Sequence, residues 1–195
     1  MAGSRPEPAV SANPFEGLCY LEAIPLQFRP TAGPPGAAEL ASLNADNVQV
    51  LLADASLDET HRGAEPADGD GPSAADLQRI EFKLNVLLQL VGTLLARAGD
   101  RPPPLPSRLF GHGLEFAAAG KGPAPGSSGV VSLYLSRGFP KPLELPGRVL
   151  GERHADGVVW TQFEFQGLTS QVTDLLVRQV FRHHRRDVAL ARSQA

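Results

Sequence analysis

The feature that most constrains this chain is a run of apolar residues at alternating spacings of three and four: Leu77, Ile80, Leu84, Leu87, Val91, Leu94 and Ala98. That is a heptad a/d register held over three heptads, and a helix with a continuous apolar seam is what satisfies it. Ser73, with Asp76 three residues on, offers its start signal. The e and g positions, which carry charge in a two-stranded coil, hold Leu88, Leu95 and Leu90 instead. The helix therefore buries a wide face. Leu at a with Ile80 at d leans toward three or four strands. The same pattern also suits an intramolecular helical hairpin, because a weaker seam of Leu40, Leu43, Asn47, Val50 and Leu57, interrupted at Asp54, comes before it. We expect self-association to be the dominant role of the stripe.

Around these helices the chain changes mode. Residues 1–14 are rich in Pro, Ala and Ser and read as a disordered lead-in. Gly17 to Phe28 alternates as an early strand, ended by Arg29-Pro30, and Thr31 to Gly36 breaks it. Thr60 to Pro72 is an acidic loop, and Gly99 to Pro106 a rigid extended linker. From there the period is two, with expected strands at Arg108–Phe116, Val130–Leu135, Leu143–Arg153 and Val158–Phe165. Gly120 to Gly129 is a loop. Asp156-Gly157 between two alternating runs predicts a tight hairpin. Val159, Thr161, Phe163 and Phe165 share one face, with Trp160 on the other. A last helix starts near Thr169 or Ser170 and shows Val172, Leu175, Leu176 and Val180 on one side.

The expected fold is α+β: a small antiparallel barrel with an inserted helical pair and a C-terminal helix. By segment, 15–37 carries the first barrel strand and a linker, and 38–98 the helical oligomerisation insert. The rest of the barrel lies in 99–168, and the basic terminal helix in 169–195.

Much chemistry is missing. The single cysteine, Cys19, rules out an internal disulfide and a Cys-rich zinc site. Gly111-His112-Gly113 does not complete a dinucleotide fingerprint, since Phe116 stands where its last glycine belongs. Gly120-Lys121-Gly122 lacks the Ser or Thr of a phosphate loop. His183 and His184 point about 100° apart on a helix and cannot chelate one ion together. No acid/base pair of carboxylates suggests itself, so we expect no enzyme, no metal and no cofactor. The N-terminus shows no apolar signal segment, and Val86 to Ala96 is too short to span a bilayer. The expected location is the cytoplasm, without membrane insertion.

Charge is lopsided. Residues 1–100 carry 6 basic and 14 acidic side chains, whereas 101–195 carry 12 and 7. A basic second half suggests an anionic partner. Five arginines between 178 and 192 make nucleic acid one alternative, although few aromatics accompany them and the whole chain is acidic, at net −3.

The order of features resembles the atypical, tetrameric kind of PilZ domain, in which two long helices are inserted into a PilZ barrel. The residues that carry the likeness are Arg79 to Leu88, Leu105-Pro106 leading into Arg108–Phe116, Val159–Phe165, and the basic close Arg178 to Arg186. It covers roughly 15–192. The resemblance implies a homo-tetramer joined by Leu77, Ile80, Leu84, Leu87, Leu88, Val91, Leu94 and Leu95, and a role in bacterial cyclic di-GMP signalling.

Typical PilZ domains bind cyclic di-GMP through an RxxxR segment before the first strand and a [D/N]xSxxG turn. This chain departs from both. In the segment Arg108-Leu109-Phe110-Gly111-His112-Gly113 only the final glycine matches, and before the first strand there is no RxxxR. The literal RxxxR spacings at Arg178/Arg182 and Arg182/Arg186 lie inside a helix, so the ligand role is not carried onto them. The leading expectation is a non-catalytic adaptor that acts on other signalling proteins through a self-assembled scaffold. The alternative is a cyclic di-GMP receptor with a non-standard site drawn from Arg101, Arg108, Gly113 and Arg148.

Overall fold

The computed structural model describes residues 15, 17–61, a subset of positions between 76 and 94, 101–117, 120, 122–136, 139 and 141–193. Six strands, β1 (Tyr20–Pro30), β2 (Pro104–Leu109), β3 (Gly113–Ala117), β4 (Ser128–Leu133), β5 (Leu143–Ala155) and β6 (Val158–Phe165), form its sheet. They close into a barrel in the order β1-β2-β3-β6-β5-β4. Every pairing is antiparallel. Two helices, α1 (Ala37–His61) and α2 (Ser170–Ser193), accompany it. The described positions between 76 and 94 are helical as well.

A barrel this small fills its lumen with side chains. Leu109, Leu114, Val131, Leu133, Leu143, Leu145, Val149 and Phe163 are all fully buried there. Each such burial contributes on the order of 1.5–3 kcal/mol. Between β5 and β6 the turn residues Asp156 and Gly157 have φ of 54° and 75°, the left-handed pair that a two-residue hairpin demands. Thr161, Phe163 and Phe165 face inward as expected. Val159 does not: it is exposed, because the β5–β6 hairpin runs past β3, whose pairing with β6 stops at Trp160.

Two expectations about strands are corrected. The run Arg108–Phe116 is two strands, not one: Phe110 N–H bonds to the Gly113 carbonyl (2.9 Å) and turns the chain between β2 and β3. The linker ahead of it is in part β2 itself. Pro104 and Pro106 are tolerated because β2 pairs with β1 over its whole length but with β3 only at Ser107–Leu109. The missing proline N–H groups thus cost no ladder bond on the open side.

The helices lie against the barrel through β5 and β1. Val50 and Leu51 of α1, and Val172, Leu176 and Val180 of α2, join the barrel core. Polar side chains set the seating of α1. Asn44 Nδ2 donates to the carbonyls of Leu40 (2.8 Å) and Gly167 (2.9 Å), and its Oδ1 accepts the Thr169 N–H at 2.9 Å. Asn47 bonds both backbone groups of Glu144. Gln179 donates to the buried Asp54. Asn44 meets the chain at Thr169 and Asp54 meets it at Gln179, ten residues on in each, so α1 and α2 run in the same direction. Thr169 Oγ1 accepts the Val172 N–H (3.4 Å) and caps α2.

Candidate functional site

Two features outside the core carry chemistry. The first is the heptad stripe. Leu77, Ile80, Leu84, Leu87, Val91 and Leu94 are all exposed, between 45% and 64%. Six apolar side chains left in water on one helical line are costly for a lone chain. Leu88 and Leu95 lie outside the described residues. Phe82 stands at f, on the back of the helix, and is 68% exposed. With Leu90 at g, it gives the helix apolar surface on more than one side.

The second feature is on the outer wall of the barrel. Alternation turns Leu114 and Phe116 of β3 inward and Glu115 outward, yet Glu115 is only 2% exposed. Side chains from three neighbouring strands roof it. Arg108 of β2 is its register partner on one side and Gln162 of β6 on the other. Arg153 of β5 reaches across and grips the carboxylate with both arms, Nε to Oε1 and Nη2 to Oε2, each 2.8 Å. Gln162 Nε2 donates to Oε1 at 2.9 Å, and Arg108 Nη1 stands 3.7 Å from Oε2.

Burial alone would raise the Glu115 pKa. Hydrogen bonds from Arg153 and Gln162, with the charges of Arg153 and Arg108, outweigh it and hold the carboxyl below its ordinary value. The hydrogen bond to Glu115 raises Arg153 in turn.

Trp160, the cross-strand partner of Arg153, lies under both arginines. The Arg108 guanidinium is 4.9 Å and that of Arg153 5.9 Å from its ring centroid. Its indole Nε1 is buried without a hydrogen-bond partner among the described residues. Two guanidinium groups, one carboxylate and one indole leave a single positive charge on a flat, aromatic-backed surface. Such a surface suits a planar anion.

The arginines expected to act together answer to different groups. Arg101 donates to the Phe139 carbonyl (2.8 Å) and lies over the Tyr134 ring. Arg148 stands beside Gly126 on β5, paired with Ser128 and Glu164. Arg108 turns to Glu115 and Trp160. Gly113 opens β3, where a Cβ would come within 2.9 Å of the Phe15 ring and 3.0 Å of the Phe163 carbonyl. Among the described residues no cluster of His, Cys, Asp or Glu could hold a metal ion. None of the described helices is long and apolar enough to cross a membrane.

Residues 51–193 match the family profile described as atypical PilZ domain, cyclic di-GMP receptor. The chain belongs to the atypical PilZ domain family. Comparison with curated proteins returns no match. Among solved structures the chain is similar to a pathogenic protein from Xanthomonas campestris, described as a new tetrameric PilZ domain self-assembled via an unusual helical bundle. The two are 27% identical, with a TM-score of 0.71 over 90% of this chain and 92% of that one.

On this PilZ barrel the segment Arg108–Gly113 forms the end of β2, the turn, and the start of β3. Of that stretch Arg108 lies over the Trp160 ring, while Trp160 itself pairs with Ala117, at the far end of β3 from Gly113. Sequence reasoning did not find Glu115, Arg153 or Trp160 as a group. The available signal was parity alone: each lies on the outward phase of its strand.

Proposed function

We propose that this PilZ domain is a non-catalytic, cytoplasmic adaptor of a bacterial cyclic di-GMP network, self-assembled through the heptad helix into a tetramer. The observation that carries the reading is the exposed line from Leu77 to Leu94. Its supports are the apolar e and g positions, Leu88, Leu95 and Leu90, and the tetrameric description of the Xanthomonas protein. The assembly fixes several barrels on one helical stem, and the barrels meet partner proteins. The nucleotide motifs are degraded: Arg108 stands for the acid and Phe110 for the serine of [D/N]xSxxG. The test compares light-scattering masses of the wild type and the double variant Leu84→Glu/Val91→Glu. Assembly should be lost while the near-ultraviolet signal of Trp160 stays. A variant that remains assembled counts against the stripe as the joint.

A second reading keeps the family's ligand. Its support is the stack of Arg108 and Arg153 on Trp160, on the basic half of the chain. In this reading the wall takes a guanine face and a phosphate of cyclic di-GMP, with Arg101 and Arg148 as outlying contributors. Calorimetric titration with cyclic di-GMP decides. Saturable heat that disappears in Arg108→Ala and Arg153→Ala supports a receptor, and absence of heat in the wild type removes this reading.

A further inference from the structure

We propose that the outer face of α2 is the docking surface for an acidic amphipathic helix of a partner protein. The inference rests on the adaptor reading and names the surface that reading requires. The inner face of α2 is spent on the barrel: Val172, Leu176, Gln179 and Val180 are buried. On the opposite side Val177, Phe181 and Val188 are 46%, 51% and 37% exposed. Spacings of four and seven keep the three within about 40° of one another around the helix.

Arg178 and Arg185 flank this line, with Arg182 and Arg186 beyond them. Arg185 lies over the Phe181 ring, its Cζ 5.8 Å from the centroid. Four cations on the barrel behave differently. Arg29, Arg108, Lys141 and Arg153 each face a carboxylate, whereas none of Arg178, Arg182, Arg185 and Arg186 pairs with a described one. The Val177 end of the stripe abuts the β2–β3 turn, where a Cβ on Gly111 would sit 2.5 Å from the Val177 methyl.

A narrow apolar line beside guanidinium groups that face no described carboxylate is the complement of a helix with apolar residues at i and i+4 and carboxylates beside them. A phosphate backbone would satisfy the arginines and leave Val177, Phe181 and Val188 against water. A membrane surface needs a broad apolar face of roughly 100° or more. Neither fits a line of three.

The test uses the full chain and a fluorescent synthetic helix of roughly 18 residues, with Leu at i, i+3, i+4 and i+7 and Glu elsewhere. Anisotropy should show saturable binding below about 100 μM. Phe181→Ala should weaken it at least ~10-fold, as expected of an aromatic anchor. Arg178→Glu/Arg185→Glu should abolish it and confer binding to the same helix with Lys in place of Glu. Absence of saturable binding, or binding indifferent to Phe181→Ala, overturns the proposal. So does stronger Phe181-dependent binding to single-stranded RNA or to phosphatidylglycerol vesicles. Sedimentation of the same samples separates the two readings. Assembled protein that ignores the helix defeats this inference alone, and a monomer that binds it defeats the assembly alone.

Discussion

The side-chain amide of Asn47 pairs with Glu144 as a strand would: Nδ2 donates to its carbonyl at 2.8 Å and Oδ1 accepts its N–H at 2.9 Å. One residue of α1 thus supplies both bonds that an edge of β5 would otherwise seek in water. This clamp therefore fixes how α1 sits against the barrel.

Asn47→Leu should therefore be destabilising even though it completes the apolar seam. It strands two backbone groups at a buried site, a loss of about 2–4 kcal/mol. Urea unfolding measures it as a lower midpoint at unchanged slope. An unchanged midpoint would show that water replaces the clamp without cost.

Gly147 is the tightest point of the barrel. A Cβ there would fall on the Glu164 carbonyl and 2.8 Å from the Phe163 ring. Backbone cannot step aside as a flexible side chain can, so Gly147→Ala should cost roughly 3 kcal/mol or more. Gly157→Asn, in the exposed left-handed turn, should cost less than about 1 kcal/mol. The comparison of the two thermal midpoints checks the distinction between steric and conformational glycine.

Glu115 gives a pH signature. Its carboxyl is held below the ordinary value, so the folded state binds fewer protons than the unfolded one as pH falls past about 4.3. The stabilisation is complete above that value and is lost as pH falls through the lower, folded one. Glu115→Gln should be less stable than the wild type by about 1–2 kcal/mol near neutrality, less than a fully buried pair because both arginines remain about a third exposed. The gap should close in acid, below about pH 4. A gap that stays constant from neutrality into acid would mean that the pairing contributes nothing through charge.

What the sequence made legible was local. The heptad, the Asp156-Gly157 hairpin and the capped α2 each depend on spacing or turn chemistry within a few residues. The β2–β3 turn was hidden because Arg108–Phe116 contains no proline or asparagine, only Gly111 and Gly113. The beginning of β2 was hidden by prolines that a half-open strand tolerates. Asn47 counted as a member of the weaker seam and Asp54 as its interruption, and the two are the tie points of α1 to β5 and α2. The polar wall around Glu115 joins residues 38 and 47 positions apart. Only the register of closed strands brings them together, and no local pattern encodes that.

The central claim is that the line from Leu77 to Leu94 assembles this PilZ domain. Sedimentation equilibrium of the wild-type chain, at a concentration on the order of 10 μM, tests it most directly. The account predicts a single species of four times the 20.7 kDa chain mass. A mass of one chain at that concentration would contradict it.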